Sequence, residues 1–427
     1  MIIKKNLIHL FKNFVILNTV LIAIFSRSFI GIYLGNFRIG EYIVAVGLLS
    51  LSYALINYKK LEKLIDSRIL KNIFFIVVSF SFFVVLNQDS LTDTYTFKSS
   101  MYIWMLGYFF IGFVFGKNLN INKFYLYLLN LIIFILYFLK LIYYPEWIIS
   151  FFLQYSDKFQ FNKSSDIFIV LVVTLWLNNR SFEKKYSVPY LIFIFFLFIP
   201  LFLVLSRGSA IGFVIFFIIE LIYHRNSIDK YKKNIILILL FSPIPFLFTT
   251  NIIVKDETIQ EEGISSMVEN ILETKNTTSE ALFLYIQNNR LISSDGNLNW
   301  RLQIWQDILQ DSKNQFNYLK GQEFDQKILA MNKNEYQGED NLNENVHNYF
   351  FNIFARGGLI HLFLYVILYY FFIFGKNKKI ELISFILPIL FVSMFDASME
   401  SPQFSYIFFL FLGLYTVKME NMEISTK

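Results

Sequence analysis

The stretch FYLYLLNLIIFILYFLKLIY, Phe124 to Tyr143, carries a single charge, Lys140. A helix of that length rises about 30 Å, the hydrocarbon thickness of a bilayer. It has no polar face, so it is not the amphipathic helix of a soluble domain. The same pattern recurs outward from it. Phe14–Leu34, Ile43–Ile56, Tyr102–Phe115, Ile167–Leu177, Tyr190–Leu205, Ile235–Phe248 and Leu359–Phe374 are further clear runs, and Ile73–Asn87, Ser209–Tyr223, Leu382–Phe395 and Phe404–Val417 are weaker ones. Hydropathy therefore predicts an all-α polytopic membrane helix bundle of about 12 transmembrane helices.

Composition agrees. The 427 residues are 56% hydrophobic, 19% aromatic and only 16% charged, with a mean hydropathy of +0.50. Soluble domains carry roughly 25% charged residues, so lipid must be this chain's solvent. Lys4, Lys5 and Lys12 precede the first run in the manner of a signal peptide. No small-residue cleavage site follows and the run is too long, so a retained first helix is expected. There is no cysteine, which removes disulfides and thiolate metal sites.

Basic residues in short loops stay cytoplasmic. Here they cluster at every second connector: Lys59, Lys60, Lys63, Arg68 and Lys71; Lys117 and Lys123; Arg180, Lys184 and Lys185; Arg225, Lys230, Lys232 and Lys233; Lys376, Lys378 and Lys379. Both termini are thus expected inside, which needs an even number of spans. Asn251–His347 falls on the other side and holds sixteen acidic against eight basic residues, in a chain whose net charge is +6. Because the lysines sit in juxtamembrane loops, the basic excess speaks for a membrane and not for nucleic acid. The expected division is a membrane domain over residues 1–250 (helices 1–9), an extracytoplasmic loop domain over 251–347, and a second membrane part over 348–427 (helices 10–12). No internal repeat is visible.

A connector as long as 251–347 should have its own structure and function. Thr277-x-x-Glu280 reads as a capping box opening a helix through Ala281–Ile286. Leu298–Ile308 fits an amphipathic helix with Trp300, Ile304 and Ile308 on one stripe. Tyr144–Ser164, with Pro145 and Trp147, suits an interfacial helix. Among polar residues at or near the spans, Arg38 and Glu41 could pair, Lys140 and Asp166 flank the Tyr144–Ser164 segment, and Asp396 and Glu400 bracket the last outer turn. Glu220 reads as a structural partner of Arg225. His361, about 21 Å deeper than His347 on helix geometry, is expected to bond a neighbouring helix.

Four outer features carry potential chemistry: Leu205-Ser206-Arg207-Gly208-Ser209, Asn299-Trp300-Arg301-Leu302-Gln303-Ile304-Trp305, Glu344-Asn345-Val346-His347-Asn348-Tyr349, and Ala355-Arg356-Gly357-Gly358. An SRG turn, an R-x-x-x-W helix, an HN pair and an R-G-G turn in this order resemble the O-antigen polymerase and ligase family, over about Leu205–Tyr365 by motif. Members of that family are GT-C-like glycosyltransferases of the bacterial inner membrane with a large periplasmic loop before the last few helices.

The resemblance implies an enzyme that moves a glycan from undecaprenyl diphosphate to an acceptor sugar hydroxyl, without nucleotide sugar, metal or other cofactor. It implies His347, Arg207 and Arg301 as the essential residues. Apart from the resemblance, Arg27 and Arg38, charges at the outer end of the first spans that need a reason to be there, and Arg356 and Asn348, near His347 in sequence, are expected as diphosphate or glycan contacts. These residue types suit the task. A sugar hydroxyl needs a positioned base, which imidazole can supply. A departing diphosphate needs cations that do not themselves transfer protons. Arg356 lies about half a turn out of phase with His347 and ~13 Å deeper, so the two do not share a helix face.

The leading expectation is an O-antigen polymerase joining lipid-linked repeat units, with the lipid bilayer as its surroundings and room for a chain-length regulator protein as partner. The alternative is an O-antigen ligase acting on the lipid A core. The turns Gly35–Glu41 and Glu400-Ser401-Pro402 resemble polymerases. A flippase or transporter of lipid-linked oligosaccharide is the third reading; it lacks the paired repeats such proteins often show.

Overall fold

Helices form where the apolar runs lie, because a helix satisfies its own backbone groups in a medium without water. The computed structural model describes residues 2–87, 89–90, 93–118, 123–256, 284–315, 317–322, 324–336, 343–375 and 380–425. In chain order the main helices are α1 Ile2–Ile30, α2 Ile39–Ile56, α3 Ser67–Leu86, α4 Thr94–Ser99, α5 Leu106–Asn118, α6 Lys123–Ile142, α7 Glu146–Tyr155, α8 Ser164–Ser181, α9 Lys184–Leu205, α10 Arg207–Tyr223, α11 Lys232–Phe241, α12 Pro243–Asp256, α13 Gly296–Asn314, α14 Tyr349–Phe374, α15 Ile383–Ser393 and α16 Pro402–Ser425.

Helix occupies the body of every run read from the sequence. Among the described residues, seven helices are long and apolar enough to cross a membrane: Leu10–Ile30, α2, α3, α6, α9, Lys232–Thr250 and α14. The others are shorter or, like α8, carry several polar side chains. Sixteen of the 18 residues of α8 are buried, which makes it an inner axis of the bundle. Its two ends therefore organise the polar groups on either side.

At one end, Arg180 of α8 meets Glu220 of α10 at 2.7 Å and Glu381 at 3.6 Å, and Asn179 also donates to Glu220. Glu220 is thus a structural ion partner, but of Arg180 and not of Arg225. A buried carboxylate requires a buried cation; the Arg180 side chain is 4% exposed, while Arg225 faces outward. At the other end α1 bends at Ser26, whose hydroxyl donates to Asp166 at 2.6 Å. The chain then makes a small hairpin, β1 Tyr33–Leu34 with β2 Phe37–Arg38. The interfacial α7 lies at this end, with Trp147 and Tyr155 exposed.

The long connector is not built of short helices alone. Thr277–Phe283 lie outside the described residues, and Leu284–Ile286 are strand, not helix. β3 Leu284–Gln287 pairs antiparallel with β4 Arg290–Ser293 across Asn288 and Asn289, both at positive φ. Asparagine tolerates that conformation, and a two-residue turn of this kind matches strand twist. The expected amphipathic helix is present as α13, longer at both ends. Its Ile304 and Ile308 are fully buried with Ile328, Met331, Tyr336 and Val346. Asp307 accepts from Arg290, Lys333 and Tyr336 and closes this small core.

That core continues into α14 through Phe354 and Ala355. α14 is broken at Gly358 (φ 63°, ψ −164°), which frees backbone groups. The loop supplies partners: Leu359 N donates to Tyr318 O at 2.7 Å, Ile360 N to Leu319 O at 3.3 Å, and Gln322 N to Ala355 O at 2.7 Å. Gly321 (φ 74°) lies against this break, where an added Cβ would be 2.6 Å from the backbone of Arg356 and Gly358. His361, just beyond the break, is hydrogen-bonded to Tyr102 at 2.6 Å and Ser79 at 2.9 Å, as expected of a helix-linking side chain.

A Cβ on Gly358 would stand 2.2 Å from Leu319 O and force a left-handed backbone on an L side chain, a strain of about 1–2 kcal/mol before any clash. Gly358→Ala is therefore expected to lower the thermal midpoint of the detergent-solubilised protein by several degrees. Gly296→Ala, where nothing lies within 4 Å, should leave it nearly unchanged.

Candidate active site at the loop end of the bundle

Ser206 separates α9 from α10 and caps the latter by accepting from Ser209 N. Arg207 is therefore the first helical residue, with a side chain 72% exposed. It donates to Asp295 at 3.1 Å. Asp295 in turn caps α13 by accepting from Leu298 N at 2.8 Å. One carboxylate thus ties the bundle to the start of the loop helix that carries Arg301.

His347 approaches the same helix from the other side. Trp305 Nε1 donates to Val346 O at 2.8 Å and its ring stacks on Phe351. Asn348 caps α14 by accepting from Phe350 N and Phe351 N. Between these two fixed points His347 takes φ 53°, and its ring meets Trp300 edge to face at 5.0 Å.

The charges explain the state of the imidazole. Burial pushes His347 down to about 4, with Arg301 and Lys163 acting in the same direction and Asp396 opposing. The ring is therefore neutral near pH 7 and can accept a proton. Arg301 is itself lowered by burial, opposed by Asp396 and Asp295, and its buried Nε has no hydrogen-bond partner among the described residues. Asp396 is held by Ser165 Oγ at 2.6 Å, at the start of α8.

Arg207, Arg301 and His347 thus come together, joined by Asp295, Asp396, Lys163 and Trp300. Sequence reasoning had given no role to Asp295 or Lys163. The only prior trace of Asp295 was its place just ahead of the amphipathic run, where a helix cap belongs. Asn348 is engaged as a cap. Arg356 stands apart: it is 3% exposed, donates to Gln326 O and Tyr95 Oη, and lies over the Tyr95 ring. It braces the loop against α4. Arg27 and Arg38 sit at the α1–α2 turn, bound to Gln160 and Asp157. Among the described residues no group of three or more His, Asp or Glu could hold a metal ion. The set offers a partnerless guanidinium nitrogen and an exposed arginine beside a neutral imidazole, an arrangement suited to an anion with a hydroxyl next to it.

A family described as O-antigen ligase matches residues 192–366. Over that region the chain is similar to the O-antigen ligase family. The region takes in Arg207, Arg301, His347, Asn348 and Arg356 and ends within α14; Arg27 and Arg38 lie outside it. With the apolar helices, this match supports a multi-pass membrane protein. No curated protein and no solved structure matches the chain.

Since Arg301 is one cause of the lowered His347, Arg301→Gln should raise it toward, but not fully to, the ordinary 6.5, because burial is the larger cause. Only neutral imidazole reacts with diethylpyrocarbonate. Mapped by peptide mass spectrometry, His347 labelling should be flat between about pH 5 and 7 in the native protein. In the variant it should fall on the acid side.

Proposed function

We propose that the protein is an O-antigen polymerase: a glycosyltransferase that joins undecaprenyl-diphosphate-linked repeat units at the periplasmic face of the bacterial inner membrane. In this reading all twelve apolar segments span the bilayer, both termini are cytoplasmic, and residues 251–347 are periplasmic. The observation that carries it is the partnerless Arg301 guanidinium nitrogen beside a neutral His347, in a region similar to a family whose description concerns O-antigen transfer.

The acceptor sugar hydroxyl attacks the anomeric carbon of the donor from the face opposite the diphosphate. As the new C–O bond forms, the bond to the diphosphate breaks and its electron pair leaves with that group. Arg207 and Arg301 receive the developing charge, and the imidazole of His347 takes the hydroxyl proton. The configuration inverts. An incoming diphosphate adds negative charge near His347, which raises the affinity of the ring for a proton when it is needed. The cations act by position and charge, already in place before the reaction.

The family description itself favours a second reading, transfer of finished polymer to the lipid A core. His347→Ala and Arg301→Ala in the host separate the two. A base of this kind contributes about 10²–10⁴-fold, so long chains should vanish. A lipopolysaccharide ladder collapsed to one repeat on the core supports a polymerase. A bare core with polymer retained on lipid diphosphate supports a ligase. An unaltered ladder removes His347 from the chemistry.

A further inference from the structure

A second group of cations lies at the same end of the bundle, outside the region matched to the family. Backbone pairing assembles it. Ser28 N donates to Gln160 O at 3.1 Å, Asp157 N donates to Gly31 O at 3.3 Å, and Ile32 bridges Ser156. The connector after α7 is thereby laid along the end of α1. An added Cβ on Gly31 would be 2.8 Å from Lys158 Cβ, so the two strands of chain touch. Lys158 is thus set beside Arg27 and Arg38.

The group is only partly neutralised. Arg38 meets Asp157 at 2.5 Å and Glu41 at 3.9 Å. The only side-chain bond of Arg27 is to the neutral Gln160, at 3.0 Å, and no carboxylate lies within 4 Å of Lys158, among the described residues. Burial pushes Lys158 below the ordinary lysine value, and Arg38, Arg27 and Lys98 press in the same direction against Asp157. Three cations, Arg27, Arg38 and Lys158, are therefore gathered where the connector meets the end of α1. The site is adjacent to the first one but separate from it. Ser26, next to Arg27, bonds Asp166, while Ser165 bonds Asp396 on the His347 side. The start of α8 stands between the two. Lys98 also pairs with Glu344 at 2.6 Å, three residues before His347.

We propose that Arg27, Arg38 and Lys158 form a second phosphate site that holds the headgroup phosphates of the acceptor lipid while Arg207 and Arg301 hold the donor diphosphate. The inference rests on the transferase reading above. Its chemistry follows from the reaction. The donor loses its diphosphate at the reacting carbon, so that group must sit beside His347. A lipid-borne acceptor keeps its phosphates, which lie away from the attacking hydroxyl by the length of the intervening sugars. Two anionic headgroups must then be held at once, at membrane level and apart. A polymerase would place a second polyprenyl diphosphate here; a ligase would place the phosphates of lipid A.

The test counts bound lipids by native mass spectrometry on the full chain in nanodiscs, with farnesyl diphosphate and, separately, phosphorylated lipid A as probes. For a polymerase the native protein should take two farnesyl diphosphates. Arg27→Gln with Lys158→Gln should take one, and Arg207→Gln with Arg301→Gln should also take one. The equivalent that each double variant retains shows that it is folded; if the first retains neither, Arg27→Gln alone, which removes one bond to the neutral Gln160, replaces it and should weaken the second equivalent. For a ligase, farnesyl diphosphate should bind once and lipid A should be lost in Arg27→Gln with Lys158→Gln. If neither probe is lost on substituting the second cluster, the proposal is overturned. Two bound equivalents, together with no sugar transfer when a polyprenyl-diphosphate-linked repeat unit is supplied in a separate assay, would instead overturn the transferase reading and leave the site standing.

Discussion

Everything at the loop end depends on one requirement: backbone groups released inside a broken helix must find partners. An unsatisfied buried amide costs about 1–3 kcal/mol in protein interiors and more where lipid replaces water. α14 breaks at Gly358, and its partners come from 318–322 of the aqueous loop. The loop is therefore joined to the bundle by main-chain hydrogen bonds, as a strand is joined to a sheet. Arg356 adds a side-chain strut two residues before the break.

This junction determines what the loop can do. A segment tethered only by its ends would leave Arg301 and His347 free to wander relative to Arg207. Here α13 is fixed at its start by Asp295 to Arg207, along its length by Ile304 and Ile308 in a shared core with Phe354, and through Trp305 to the residue before His347. Those attachments involve different elements, so the three side chains are held as one body. Positioning to a fraction of an ångström is where much of the rate of a displacement comes from.

The bundle was legible because its signal is one-dimensional. Apolar length, read against bilayer thickness, finds each helix without knowing its neighbours. The stripe Trp300–Ile304–Ile308 found α13 in the same way. Arg207, Arg301 and His347 were visible through motif order alone, and their convergence depends on contacts no spacing encodes. Asp295 and Lys163 escaped notice because a cap and a loop lysine look ordinary until α8 and α13 are brought side by side. The Asn288-Asn289 turn was written in the sequence between two short apolar runs, yet the Thr277-x-x-Glu280 pattern drew a helix into Leu284–Ile286, the first of its strands. The Glu220 partner was misjudged because nearness in sequence favoured Arg225, whereas burial selects Arg180.

The electrostatics of the first site suit an anion. Arg301 and Lys163 act on a neutral imidazole against Asp396, while Arg207 reaches the same loop helix through Asp295. A fold selected for stability alone would give the buried Arg301 Nε an acceptor, since leaving it bare costs free energy and gains none. The two carboxylates are placed to limit repulsion among the cations without filling that last direction: one serves as a helix cap, the other is held by Ser165. An anion entering there would meet donors already oriented and partly desolvated, so little reorganisation remains for the transition state. Burial first and the neighbouring cations second keep His347 unprotonated; in the proposed reaction, binding of the anionic leaving group would then raise the affinity of the base for a proton.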